Sequence, residues 1–366
     1  MDDTQQGMSQ PEPSKPRPKY PVREDQVDAI IEKAAYHRHE FCRSVIYFPP
    51  YTHDEIRHSI GTPFQRTFSD MGAGSLDRLP LELMYNVFLQ LDMHSLFRFR
   101  QANLRARQLL DSLSQYQIVV SHGLNLFRAL LRTGLAVYTR LSVFFDTLCE
   151  ISCVYCGRFA GFVSILVWRR CCFQCLHSRP EVKVQTLASA YSQLRMNRHH
   201  LRYLVTMRTL PGAYAMMHAR ENAIMVLVAT PDAQRVTGRQ PPTRERSHYD
   251  AMEERDAKLS FMASCALPHY DRATKKVQYG LSCAGCDREW AGSNDSSLAQ
   301  WTLRAQDRVY DKRSFISHFK RCVKAQRLWE SGEERKGRRR DLSPIFRERM
   351  LSPGSEARRI TGRSVY

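Results

Sequence analysis

The chain has 366 residues, 43% of them hydrophobic, and a formal charge of +18 from 55 basic and 37 acidic side chains. This length and apolar content exclude a wholly disordered chain and leave room for a sizeable core or for two to three domains. The positive balance favours anionic partners without choosing among nucleic acid, an acidic protein surface or a phosphorylated ligand.

The chain starts polar and Pro-rich, with no secretory signal, and its longest uncharged apolar run, Phe159–Trp168, is too short to span a bilayer. The expectation is an intracellular protein, cytoplasmic or nuclear, without membrane association. Thiols stay reduced there, so clustered cysteines point to metal before disulfides. Residues 1–24 have few large apolar side chains, 25–60 carry a weak helical pattern (Val27, Ile30, Ile31, Ala34), and Ser69–Gly74 reads as a flexible joint. Residues 1–70 are therefore expected to be mostly disordered. A dense helical block follows at 75–113. Two more helices are expected at 124–150, separated by Gly134, with Leu126, Phe127, Leu130 and Leu131 sharing a face of the first. Residues 183–195 read as a helix. Short strands are expected over 202–230, best at Ile224–Val228, then a loop leading into a helix over 231–260, and a helix at 313–330. The basic tail 331–366 is expected to be disordered. The fold class is α+β, mostly helical, with a body at 120–330.

Within the helical block, Pro80 stands where a helix begins and Glu82 lies in its first turn, where negative charge suits the helix dipole. Leu79, Leu83, Val87, Phe88 and Leu91 form an apolar face. Asp92 ends the helix, Ser95 is a candidate cap for a second helix carrying Leu96 and Phe99, and Asn103 is a candidate cap for a third. The stretch closely resembles an F-box. The family's Leu-Pro-x-Glu-Leu opening matches Leu79, Pro80, Glu82 and Leu83. Val87, Phe88 and Leu91 match its middle, Asp92, Ser95 and Leu96 its next turn, and Arg100, Gln101, Asn103 and Arg107 loosely its tail. Ala102 and Leu104 depart mildly from the pattern. The resemblance implies three helices that dock onto a Skp-type adaptor, and through it a cullin, with Leu79, Pro80, Leu83, Val87, Phe88, Leu91, Leu96 and Phe99 as the partner-binding residues.

Directly after the helices, Cys153, Cys156, Cys172 and Cys175 give C-x2-C-x15-C-x2-C, the spacing of a four-thiolate zinc site. Gly157 allows a tight loop whose amides face the sulfurs, and Arg158, Arg169 and Arg170 are near in sequence to offset the negative charge. Cys171 competes with Cys172, and His177 is a lesser candidate. The alternative is buried free thiols packing with Phe162, Ile165 and Leu166. A second set is Cys283, Cys286, His318 and Cys322, the last two spaced i, i+4 on an expected helix. Neither set has an evident open position or general base, so two structural zinc ions are expected. The wider layout is similar to a group of fungal F-box proteins with a Cys-x-x-Cys-Gly and an Arg-Cys-Cys-x-x-Cys-Leu. The matching residues here are Cys153, Cys156, Gly157, Arg170, Cys171, Cys172, Cys175 and Leu176.

The sequence thus points to a substrate adaptor of an SCF-type (Skp–cullin–F-box) ubiquitin ligase with an unknown protein target. The second choice is a zinc-dependent nucleic-acid-binding or transcription-related protein. No nucleophile elbow, phosphate loop or HExxH stands in the chain, so no catalytic residue is expected.

Overall fold

The structure, a computed structural model, describes residues 20–61, 74, 78–214, 220–240, 258–291 and 308–331. Residues 1–19, most of the 69–74 joint and the tail from 332 lie outside the described residues. What is described is mostly helical with short antiparallel strands, an α+β arrangement as expected.

The first segment holds α1 (Val27–Ala34), β1 (Ala35–Tyr36), α2 (His39–Arg43) and α3 (Tyr51–Ile60). Residues 20–61 are thus folded, where the sequence suggested mostly disorder up to 70. Their apolar residues are too sparse for a core of their own, but they insert between distant elements. Ile30, Phe41, Val45, Ile46, Phe48 and Ile60 are all buried. The Ile46 amide donates to the Ser264 carbonyl (2.9 Å), and Asn125 accepts from the Phe48 amide (2.8 Å) while donating to the Ile46 carbonyl (3.0 Å).

Three short helices follow: α4 (Leu81–Gln90), α5 (Met93–Ala102) and α6 (Leu104–Asp111). Pro80 is the N-cap of α4. Asp92, not Ser95, caps α5: its carboxylate accepts from the Ser95 amide (2.8 Å) and hydroxyl (2.6 Å). A carboxylate in extended backbone reaches the free amide three residues on, whereas Ser95 already lies inside the helix. Asn103 caps α6 as expected, accepting from the Ala106 amide (2.8 Å). The buried Arg100 grips Asp111 with two bonds (2.9 and 3.0 Å) and donates to the Ser59 carbonyl of α3, to which Gln101 also donates (2.6 Å). The polar tail of the motif therefore ties the first segment to the three-helix unit.

The long helix α7 (Ser114–Thr133) forms the spine of the main core. It starts ten residues before the expected helix because Tyr116, Val119 and Val120 extend the buried stripe. Gly134, at φ 80°, ends it in the left-handed conformation that favours glycine. A short 3-10 turn at Leu135–Tyr138 leads to α8 (Leu141–Cys149). The body continues through β2 (Phe162–Ser164), β3 (Arg169–Cys171), α9 (Phe173–Ser178), β4 (Val184–Thr186), α10 (Leu187–Gln193), α11 (Arg198–Leu201), β5 (Thr206–Arg208), β6 (Val226–Ala229), α12 (Thr230–Thr237), β7 (Ser264–Ala266), β8 (His269–Tyr270), β9 (Val277–Gln278), β10 (Ser282–Cys283), α13 (Ala284–Ala291), α14 (Lys312–Phe319) and α15 (Val323–Glu330).

The strands run in order β3-β2-β7 in one antiparallel sheet and β4-β6-β5 in another, with β1-β10 and β8-β9 as two-stranded pairs. Arg170 locks the first sheet. Fully buried, it donates to the carbonyls of Thr147 (2.8 Å), Ala160 (3.1 Å), Leu267 (3.1 Å) and Pro268 (2.8 Å). Three expectations shift in this region. The helix expected at 183–195 starts only at Leu187, because Val184 is drawn into a sheet. The stretch 231–260, expected to begin as a loop, opens with α12. The single helix expected at 313–330 is two helices, broken between Phe319 and Val323.

Candidate docking face and candidate metal centres

On α4 the 3.6-residue period separates two apolar stripes. Met84 and Phe88 turn inward and are buried; Phe88 packs on Phe99 with ring centroids 5.1 Å apart. Leu83 and Val87 turn outward and join Leu79 and Leu81, so that four large apolar side chains stand 38–52% exposed. Pro80 is exposed beside them, while Leu91 and Phe99 are half-buried. Two of the expected partner-binding residues are therefore corrected: Phe88 is 1% exposed and Leu96 is fully sealed. Two adjacent apolar stripes look alike in sequence, and only the packing of α8 and the Leu135–Tyr138 turn against α4 and α5 selects which is covered. Leu81, absent from the expected set, is exposed as well, because it stands at the first position of the helix, ahead of the turns that cover Met84 and Phe88. An apolar residue at the variable position of Leu-Pro-x-Glu-Leu was its signal.

The first cysteine set comes together as expected. The sulfurs of Cys153, Cys156, Cys172 and Cys175 all lie within 4.8 Å of one another, and Cys156 and Cys172 are 3.6 Å apart. A disulfide would need about 2.0 Å. Four bonds of ~2.3 Å meeting tetrahedrally separate sulfurs by roughly 3.8 Å, so the spacing suits one metal ion. The hairpin β2–β3 brings the two pairs together. Its strands pair Phe162 with Cys171 and Ser164 with Arg169, returning the chain to the first pair. Gly157, at φ 69°, closes the first loop with its amide on the Cys153 carbonyl (2.9 Å). The Cys175 amide points at the Cys172 sulfur (3.4 Å). A hydrogen bond from the Cys172 thiol pushes Cys153 down to about 4, helped by the amides of Cys172, Tyr155 and Cys156.

Of the two competing thiols, Cys172 is in the set. Cys171 is buried in β3, where burial pushes its thiol far up. His177 lies outside the set, its ring near Phe261. Arg170 does not face the sulfurs, being committed to backbone carbonyls. Instead Arg179, which the sequence reading missed, is hydrogen-bonded to Cys175. It lines a shallow pocket with Cys156, Arg158 and Cys175.

The second set also assembles. Cys283, Cys286, His318 and Cys322 have ligand atoms within 4.8 Å of one another. Cys322 lies 3.9 Å from Cys283 and 3.7 Å from Cys286, and Cys286 lies 3.5 Å from His318 Nε2. His318 and Cys322 do not share a helix: His318 lies in the last turn of α14 and Cys322 is the N-cap of α15. The break lets both side chains reach one point while Gln326 donates back to the Phe319 carbonyl (2.8 Å). Against its burial, hydrogen bonds to the Cys286 and Cys322 thiols raise His318 to about 9. Its other ring nitrogen meets the Tyr310 hydroxyl at 3.3 Å, and the two rings stack at 4.8 Å. Such an outer partner fixes ring orientation and frees Nε2 for a metal. This set sits in its own small core of Ile30, Ala34, Ala35, Phe315, Phe319 and Ala325, so α1 closes it from the other end of the chain.

Both donor sets could hold a metal ion and are compatible with zinc: three or four thiolates, at most one imidazole, and spacings near tetrahedral values. Among the described residues, no helix is long and apolar enough to cross a membrane.

A three-helix unit with an uncovered apolar surface is thus fused to a cysteine-clustered body. The family model of the F-box domain matches residues 76–118, and the chain carries an F-box domain. F-box domains bind a Skp-type adaptor and thereby a cullin in SCF ubiquitin ligases, and F-box proteins are in general non-catalytic adaptors. No curated protein and no solved structure matches the chain. The nucleic-acid alternative gains no support from these comparisons.

Proposed function

We propose that this protein is the substrate-recognition adaptor of an SCF-type ubiquitin ligase. The F-box docks a Skp-type adaptor through Leu79, Pro80, Leu81, Leu83 and Val87, and the body at 120–330 holds a protein target. The observation that carries this reading is the exposed apolar surface at the start of and along α4, where Leu79, Leu81, Leu83 and Val87 are left open to solvent within the F-box match. Such a patch on a soluble surface marks an interaction site. The chain itself performs no covalent step. By holding a target beside the ubiquitin-charged enzyme, it raises the local concentration of acceptor lysines. Two zinc ions, one held by Cys153, Cys156, Cys172 and Cys175 and one by Cys283, Cys286, His318 and Cys322, supply folding energy where regular elements are short. The protein works inside the cell, where the ligase subunits reside.

The test is co-purification of the full chain with a recombinant Skp-type adaptor. Leu83→Asp is expected to abolish capture with little change in melting temperature, because the side chain is 52% exposed. Capture that persists in both Leu83→Asp and Val87→Asp would contradict the reading. Phe88→Asp does not serve, since it places a charge in the core.

A further inference from the structure

Of the chain's eleven cysteines, Cys156 alone is exposed. It stands in the turn between Cys153 and Arg158, which is closed by the Cys153 amide on the Arg158 carbonyl (2.6 Å) and the Gly157 amide on the Cys153 carbonyl (2.9 Å). Val154, Gly157 and Arg158 are exposed as well, so the turn lies on the surface. The other three members of the first set, Cys153, Cys172 and Cys175, are buried, and none of the three cysteines of the second set is exposed.

Cys156 opens into a pocket of about 320 Å³ that Arg158 and Arg179 also line. A water molecule takes up ~30 Å³ of liquid, so a molecule the size of hydrogen peroxide enters with room to spare. Both guanidiniums are held in place, Arg158 by the Gln174 side-chain oxygen (2.9 Å) and Arg179 by Cys175. Fixed cations beside an exposed sulfur favour its attack on peroxide, because the hydroxide that is expelled leaves into positive charge. Cys172 lies 3.6 Å from Cys156. It is anchored as the N-cap of α9, with the Cys175 amide on its sulfur (3.4 Å). Closing the pair to a bonded ~2.0 Å therefore falls on the exposed turn and not on the core.

We propose that Cys156 is an oxidative modification site for hydroperoxides, with Cys172 as its resolving thiol. The Cys156 thiolate attacks one peroxide oxygen: an S–O bond forms, the O–O bond breaks, and hydroxide leaves to take a proton from solvent. Cys156 is then a sulfenic acid. The Cys172 thiolate attacks that sulfur: the S–S bond forms, the S–O bond breaks, and a second hydroxide leaves and becomes water. Two electrons pass from the two sulfurs to the peroxide. With two thiolates consumed, Cys153 and Cys175 no longer complete a four-sulfur donor set, and the first site gives up its metal while the second keeps its own. A thiol reductant restores both side chains. This goes beyond the adaptor reading and rests on it only for the bound metal.

The test is stepwise addition of hydrogen peroxide to the full purified chain, after metal analysis. Released metal is read with a chromogenic chelator, and remaining thiols are capped before peptide mapping by mass spectrometry. The expected result is a Cys156–Cys172 cross-link that appears together with loss of one metal equivalent and is undone by dithiothreitol, while Cys283, Cys286 and Cys322 stay reduced. Cys156→His, which keeps a metal-binding nitrogen but has no thiol, is expected to hold both equivalents at peroxide levels that strip one from the unaltered chain. Arg158→Ala with Arg179→Ala is expected to slow cross-linking several-fold with the initial metal content unchanged. The proposal is overturned by earlier oxidation of the second set, by a first cross-link that lacks Cys156 or joins it to another sulfur, or by equal metal loss in Cys156→His. A chain that carries two metal ions and stays reduced overturns it too. A metal-free chain that still joins Cys156 to Cys172 supports it and sinks the zinc reading alone.

Discussion

The two cysteine sets use nearly the same donors and reach nearly the same spacing, yet they are built in opposite ways. The first is local. Its four sulfurs come from one stretch, 153–175, folded back by a single hairpin. The second draws on 283–286 and on the joint between α14 and α15, and is closed by α1 from the opposite end of the chain. A local site closes a short loop, so little chain entropy opposes its assembly; a site that gathers distant segments closes long loops and depends on everything that packs them. The first set is thus a clip within the body, and the second is the clasp that fastens the N-terminal segment to it.

This contrast can be broken or sharpened by experiment. The largest effect is expected from chelation. Removing both ions would withdraw on the order of 10 kcal/mol of folding support per site. Circular dichroism should show loss of the cooperative melt, and metal analysis of the untreated chain should give two equivalents. Next, Ile30→Ala, far in sequence from every member of both sets, is expected to cost about 3 kcal/mol and to act on the second set alone. Cys283, Cys286 and Cys322 should alkylate faster while the rates at Cys153–Cys175 hold. Acceleration at both would merge the two units into one. Gly285→Ala should cost about 2 kcal/mol at the second site. Its added Cβ would lie 2.5 Å from the Ala325 nitrogen and 2.6 Å from the Lys324 carbonyl carbon, backbone that cannot swing aside. One metal equivalent is expected to fall and the other to hold. The smallest effect belongs to Gly157→Ala at the first site, about 1 kcal/mol, because its Cβ meets open space and only the left-handed backbone resists.

The docking face obeys the same division between near and far. The motif from Leu79 to Leu91 and the Asn103 cap were legible because caps and helical period act over three to four residues. Which stripe of α4 would be covered was not legible. Phe88 and Leu83 look equally apolar on a helical wheel, and the burial of one was settled by α8, more than fifty residues later in the chain. Arg170 shows the same limit. Beside the thiols in sequence, it reads as a counter-charge for them, yet its four carbonyl partners come from Thr147, Ala160, Leu267 and Pro268. The strands of two to four residues were too short to announce a period of two. Val163, for example, pairs with Arg170 on one side, but its other partner, Cys265, lies about a hundred residues away.

By itself the sequence determined the features whose physics is short-ranged. The F-box helices and their Asn103 cap follow from local period and hydrogen bonding, and the Cys-x-x-Cys pairs from the reach of two thiols in one turn. Tertiary structure alone decided which leucines stayed outside and that the segment from residue 20 to 61 folds at all. Those outcomes depend on burial against partners remote in the chain, and burial is a property of the assembled core that no window of neighbouring residues contains.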